Sequence, residues 1–325
     1  MTEASLQTPL SDAPLTATGG WVRLMPAVFV LIWSTGFIVA RYGTPHAPPL
    51  SFLTWRYALS VGCFIVWSLA AGARWPSDRR QWLHLAITGI LMHGAYLGGV
   101  WAAVKMGMGA GLSALLVSLQ PILTALWLSA RGQRVGTAQW LGLLLGLAGL
   151  LLVVWAKLGA GEASLANLAC ACAALLGITV GTLYQKRFVQ PCDVRTASLV
   201  QLTAALLVTC PLALFETEAI RWHSPDQGLN TPLIGAMAWS ILGLTLGGSS
   251  LLYLLIQRGA ATPVASLFYM VPPVTALMAW ILFDEPITIL IGIGTAITAL
   301  GVSLAVRPAP AGRRNRLAPR TSSPH

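Results

Sequence analysis

The chain has 325 residues, of which 56% are hydrophobic and only 9% charged, with a mean hydropathy of +0.72. Soluble globular chains carry about 25% charged residues, so this chain cannot clothe a water-exposed surface and is expected to live in a bilayer. Its net charge of +10 gathers at the ends of apolar runs and in the tail, as in membrane proteins that fix their orientation with Lys and Arg; no basic stripe interleaved with aromatics marks a nucleic-acid partner.

Residues 1–22 form a polar stretch with Glu3 and Asp12 that lacks the basic-then-apolar order of a cleavable leader, and they read as a disordered tail. A transmembrane helix needs roughly 20 mainly apolar residues. Ten stretches meet that length: 25–42, 50–71, 83–104, 110–130, 138–155, 164–184, 197–216, 233–256, 262–283 and 287–306. The runs are continuous rather than alternating, which excludes a membrane barrel. Short connections make neighbouring helices antiparallel, and only the loop from Glu216 to Pro232 is long. Residues 307–325 are basic and Pro-rich, a second disordered tail.

The first helix carries Trp33, Ser34, Thr35 and Gly36. Its hydroxyls can bond back to their own carbonyls or face a wet path, while Gly36 permits a bend or a close approach. Arg56 falls about six residues into the second helix, roughly 9 Å below its entry at 1.5 Å per residue. There it either snorkels to the headgroups or pairs with helix-end carbonyls or an acidic group of a solute. The third helix holds His93, Tyr96 and Trp101. His93 stands near mid-span as a satisfied neutral imidazole or as a functional ionisable group. In the fourth, Gln120 precedes Pro121, whose ring frees a carbonyl that Gln120 can satisfy unless it lines a cavity. Gly142 and Gly146 on the fifth make a small-xxx-small face for packing. The sixth offers Tyr184 near one end, the eighth Ser249 and Tyr253, and the ninth Tyr269 with Pro272 and Pro273.

Several chemistries are missing. The five cysteines form no Cys-x-x-Cys and have no His pattern for zinc, so neither metal nor cofactor is expected. No P-loop is present to support ATP drive. An intramembrane enzyme would need a nucleophile with a base, which "GGSSLLY" with His84 and His93 does not supply; the chain is not expected to be an enzyme. A receptor-like protein is the other alternative.

An internal repeat then organises the chain. At an offset of 152 residues Gly107 falls on Gly259, Pro121 on Pro273, Gly142 on Gly294 and Gly149 on Gly301. Two copies of five spans, 23–160 and 161–306, must enter the membrane from opposite sides because five is odd. The expected fold is all-α, ten transmembrane helices in two inverted repeats, a common plan among secondary transporters with a site near the midplane. With the N-terminus in the cytoplasm, fifteen of the twenty basic residues fall inside, so both termini are expected there, in the inner (plasma) membrane.

The stretches "IWSTGFIVAR" and "PLSFLTWRYAL", and the later series Pro273, Ala276, Ala279, Trp280, Glu285, Pro286, Gly294 and Gly301, resemble the EamA type of the drug/metabolite transporter superfamily. The resemblance runs from Leu24 to Val306, with Gln133 standing where the family often has an acid. It implies export or exchange of small metabolites such as amino acids by alternating access, through a cavity lined by helices one, three, four, six, eight and nine. On that basis Trp33, Ser34, His93, Tyr96, Gln120, Tyr184, Ser249, Tyr253 and Tyr269 are candidates to bind solute. Gly36, Arg56, Pro121, Pro272 and Pro273 are candidates for structure or gating. The implied partners are a small solute and the lipid bilayer; the residues name neither the solute, a coupling ion nor an oligomeric state.

Overall fold

The computed structural model describes residues 20–132, 136–159, 161–224, 228–248, 250–251 and 270–305. The candidates Ser249, Tyr253 and Tyr269, and the departure at Gln133, lie outside them. The described residues are helical apart from connections and a two-residue hairpin, β1 (His223–Ser224) with β2 (Gly228–Leu229), inside the long loop. A helix satisfies every backbone group within its own segment, which an oil-like solvent demands.

In chain order the helices are α1 (Gly20–Gly43), α2 (Pro49–Ala70), α3 (Arg79–Gly89), α4 (Tyr96–Lys105), α5 (Ala110–Val117), α6 (Gln120–Ala130), α7 (Thr137–Gly159), α8 (Leu165–Phe188), α9 (Val194–Ala213), α10 (Thr231–Trp239), α11 (Val271–Phe283) and α12 (Ile289–Ala305). A π-helical turn, Ile90–Ala95, joins α3 to α4 as one span, and a longer π segment, Ser240–Gly248, continues α10. Among the described residues eight helices are long and apolar enough to cross a membrane, with Val271–Phe283 and Ile289–Leu304 as shorter apolar helices. The start of the expected ninth span falls in 252–269, outside the described residues.

The fourth span is not continuous. Ser118 and Leu119 separate α5 from α6, and Pro121 sits in the first turn of α6, where its missing N–H would have no intrahelical acceptor. Pro272 and Pro273 likewise open α11. Proline therefore starts helices at both places.

Distant acids cap two helices. Glu216 accepts from Leu50 N (2.9 Å) and Ser51 N (2.7 Å) at the start of α2, and Glu285 accepts from Ala110 N (3.0 Å) at the start of α5. Asp78 and Asp193 cap α3 and α9 locally through Arg80 N (2.9 Å) and Arg195 N (3.0 Å). Contacts gather the loops into two ends. At one end Lys105 Nζ reaches Thr44 O (3.1 Å) and Glu218 (2.6 Å), and Arg221 N donates to His46 O (2.9 Å). At the other, Gln81 Nε2 donates to Gln190 O (2.8 Å) and Thr196 Oγ1 to Arg74 O (3.1 Å).

Helices cross closely where glycine removes the side chain. A Cβ on Gly149 of α7 would stand 2.5 Å from Gly294 O, and one on Gly301 of α12 would stand 2.2 Å from Gly146 N. The Gly142–Gly146 face is thus used inside the chain, against α12. Gly89 makes the same approach from α3 to the Gln201 backbone on α9. The core holds Phe37, Phe52, Tyr57, Phe64 and Trp101, with Phe52 stacked on Trp101 at 4.2 Å. Outward faces stay apolar, as at Leu144, Leu151 and Trp155 on α7, which suits lipid and not water.

Candidate functional site: a cavity around Arg56

The two π segments face one another across a cavity of about 120 Å³. Trp33, Gly36 and Phe37 contribute from α1, Arg56 from α2, Met92 to Trp101 from the π turn and α4, Ile178 from α8, and Leu244 with Thr245 from the second π segment. Widened helical turns free a carbonyl from its usual partner and recur at functional sites. Here the freed groups are used. Tyr57 Oη donates to His93 O at 2.7 Å, and Thr245 Oγ1 donates to Ser240 O, five residues back, at 2.8 Å.

Arg56 is the cavity's formally charged side chain. It does not snorkel: only 8% of the residue is exposed. Its Nη2 and Nε donate to Thr245 Oγ1 at 3.1 and 3.4 Å. Thr245 is a neutral acceptor. The ion pairs among the described residues are Lys105–Glu218, Lys157–Glu162 and Arg195–Asp193, so Arg56 has no carboxylate partner among them. His93 sits beside it, with its ring interacting with the Gln201 side chain on α9.

Of the sequence candidates, the structure brings Trp33, Gly36, Arg56, His93 and Tyr96 together. Others stand apart. Ser34 is fully buried and donates to Val271 O at 3.4 Å, tying α1 to α11 beside Pro272. Gln120 neither lines the cavity nor satisfies a carbonyl freed by Pro121; its Nε2 donates to Thr182 Oγ1 on α8 at 2.9 Å. Tyr184 lies near the loop end of α8, with its hydroxyl 2.8 Å from His84 Nδ1 and its ring against Phe188. A Cβ at Gly36 would meet only Leu244, at 3.8 Å, so this glycine is not a tight helix crossing. Pro121, Pro272 and Pro273 do not line the cavity. The walls come from spans one, two, three, six and eight; span four and the described part of span nine are absent from them. The lining residues missed from sequence are the apolar Phe37, Met92, Leu97, Val100, Ile178 and Leu244 and above all Thr245, a single hydroxyl in an apolar run. The one available signal was that Arg56 needed an acceptor somewhere.

The model of the EamA-like transporter family matches this sequence twice, over residues 21–155 and 165–307. The chain belongs to the EamA-like transporter family. As an EamA-like protein it is 24% identical over 302 residues to the uncharacterized transporter YvbV of Bacillus subtilis, a match covering 91% of this chain and 93% of that one. It is 24% identical over 260 residues to the uncharacterized inner membrane transporter YedA of Escherichia coli K12, covering 78% and 81%. It is 23% identical over 289 residues to a protein of the same strain named a probable amino-acid metabolite efflux pump, covering 87% and 94%. One crystal structure superposes with a TM-score of 0.58 at 19% identity over 89% of this chain and 97% of its own, a likeness of fold. The EamA-like cavity draws its walls from both matched segments. Residues 33–101 lie in the first match, and Ile178, Leu244 and Thr245 in the second.

Proposed function

We propose that this membrane protein is a secondary transporter that exports small amphipathic metabolites, amino acids or related compounds, by alternating access. The observation that carries the reading is the cavity built jointly by the two family-matched segments: relative movement of two halves opens such a cavity to one side and then the other. The halves are 23–160 and 161–306, five spans each and inverted, flanked by tails 1–22 and 307–325. Contacts between α2 and α9, α7 and α12, and α5 and α11 support a two-fold relation of the halves, since each pairs equivalent spans, and the odd number of spans in each half makes that relation an inversion. The basic end, with Arg74, Arg79, Arg80, Lys186, Arg187 and Arg195, is the cytoplasmic one. Relatives named as amino-acid metabolite efflux pumps support the export direction. Trp33, Arg56, His93 and Tyr96 contact the solute, and Gly36 forms part of the wall.

Proteoliposomes loaded with a labelled pool of amino acids and organic acids should lose label faster than protein-free liposomes. Equal loss across the whole pool overturns the assignment. Tags at residues 161 and 310 should report opposite faces of the membrane; the same face for both overturns the inversion.

A further inference from the structure

The ten acidic residues stand at 3, 12, 78, 162, 193, 216, 218, 226, 284 and 285. None lies within a described helix, and no Asp or Glu occurs between 79 and 161 or between 227 and 283. Six of the seven described ones are engaged elsewhere: Glu216 and Glu285 cap α2 and α5, Glu162 and Glu218 hold Lys157 and Lys105, and Asp78 and Asp193 cap α3 and α9; the seventh, Asp284, follows the C-terminus of α11 and does not line the cavity. Lys157, buried to a similar degree as Arg56, has its carboxylate at 2.7 Å. Among the described residues Arg56 has only a hydroxyl.

A buried cation without a countercharge is strongly disfavoured, and a guanidinium carries five donors in a fork that fits a carboxylate. The two bonds to Thr245 leave Nη1 without a protein acceptor among the described residues. Around it the cavity wall is aromatic and aliphatic: Trp33, Phe37, Leu97, Val100 and Trp101. We infer that Arg56 is the anion anchor of this cavity, and that the site takes a small amphipathic monocarboxylate rather than a zwitterion, an amine or a neutral compound. The carboxylate lies on the guanidinium and the apolar body against Trp33 and Phe37. An ammonium group would find no acid there, so within the solute class proposed above the site selects amino-acid-related monocarboxylates over the free amino acids themselves. The cavity's volume, on the scale of an engineered void that binds benzene, limits the body to about one ring. This inference rests on the transport reading for its physiological meaning but concerns binding alone.

The test uses the full-length protein purified in detergent and four one-ring probes, benzoate, benzyl alcohol, benzylamine and phenylglycine, with phenylacetate as the size-matched carboxylate for phenylglycine. Benzoate should raise the melting temperature saturably and bind about tenfold or more tightly than the other three, the margin of a charge-assisted hydrogen bond. Arg56→Gln should remove that margin while Arg56→Lys keeps part of it. If Arg56→Gln does not fold, the four-probe comparison on the unmodified protein decides by itself. An equal response to benzoate and benzyl alcohol overturns the inference, as does a benzoate response unchanged in Arg56→Gln or matched by chloride. Benzoate binding with no flux of any member of the solute pool in proteoliposomes would sink the transport reading and leave the anchor standing. Flux with no preference for the carboxylate would do the reverse.

Discussion

The Glu216 carboxylate accepts from both the backbone N–H and the hydroxyl of Ser51, each at 2.7 Å, across 165 residues of sequence. Pro49 opens α2 without a donor of its own, so Leu50 and Ser51 are the exposed N–H groups of its first turn, and Glu216 takes both. The bond carries the positive end of the α2 dipole and ties the long loop to the helix that bears Arg56.

Glu216→Ala should therefore destabilise the protein by about 1–2 kcal/mol, the scale of a lost N-cap. Thermal unfolding in detergent should show a lower midpoint for this variant. Glu218→Ala, whose exposed carboxylate pairs with Lys105, should be nearly silent, because exposed surface pairs contribute little. Equal losses from the two would deny Glu216 its capping role.

The bilayer makes spans easy to read, because it demands continuous apolar runs. The break at Pro121 was equally visible, since a ring in place of an N–H leaves few options. Partners were not visible. Both fates of Arg56, snorkelling or burial, begin from the same depth on α2, and the choice depends on Thr245, 189 residues away. The partner of Gln120 is hidden for the same reason: its acceptor, Thr182, belongs to another helix. The π turns at Ile90–Ala95 and Ser240–Gly248 leave no mark in hydropathy, so the residues they turn towards the cavity went unmarked apart from His93.

Asp193 caps α9 and also receives the Arg195 side chain, Nη2 at 2.7 Å and Nε at 3.0 Å. The Arg195 hydrogen bond, more than any other influence, holds the Asp193 carboxyl below its ordinary 3.8. A carboxylate whose folded pKa is depressed contributes stability that is complete above the unfolded value and is lost as pH falls through the folded one. Asp193→Asn, which keeps a capping oxygen, should thus reduce the loss of stability as pH falls through and below the ordinary carboxyl value of 3.8. Melting curves at stepped pH check this; identical acid limbs in both proteins would contradict it.

The α7–α12 crossing leaves no room for a methyl group at Gly149, where a Cβ would lie 2.5 Å from Gly294 O and 2.6 Å from Thr298 N. Those neighbours are backbone and cannot swing aside. Gly149→Ala should cost about 1–3 kcal/mol or more as overpacking and lower the yield of folded protein. Gly235→Ala on α10, where nothing lies within 4 Å of the added carbon, should cost nothing. Size-exclusion profiles and melting midpoints of the two variants separate the effects.

Thr245 accepts two donors from Arg56 and donates its own proton to Ser240 O at 2.8 Å. Thr245→Val keeps the shape and removes both connections, so it strands part of a buried guanidinium and leaves the π turn without its side-chain donor. The expected loss is about 1–3 kcal/mol, since the unmatched group is charged. Thr245→Ser retains the hydroxyl and should recover most of that stability, losing only a methyl contact. The pairing also fixes the guanidinium in place. Thr245→Val should therefore weaken benzoate binding even in the fraction that remains folded, whereas Thr245→Ser should bind it as the unmodified protein does. Calorimetric titration of both variants, alongside their melting curves, distinguishes a positioned arginine from one that merely fills space: a purely packing role predicts unchanged affinity in Thr245→Val.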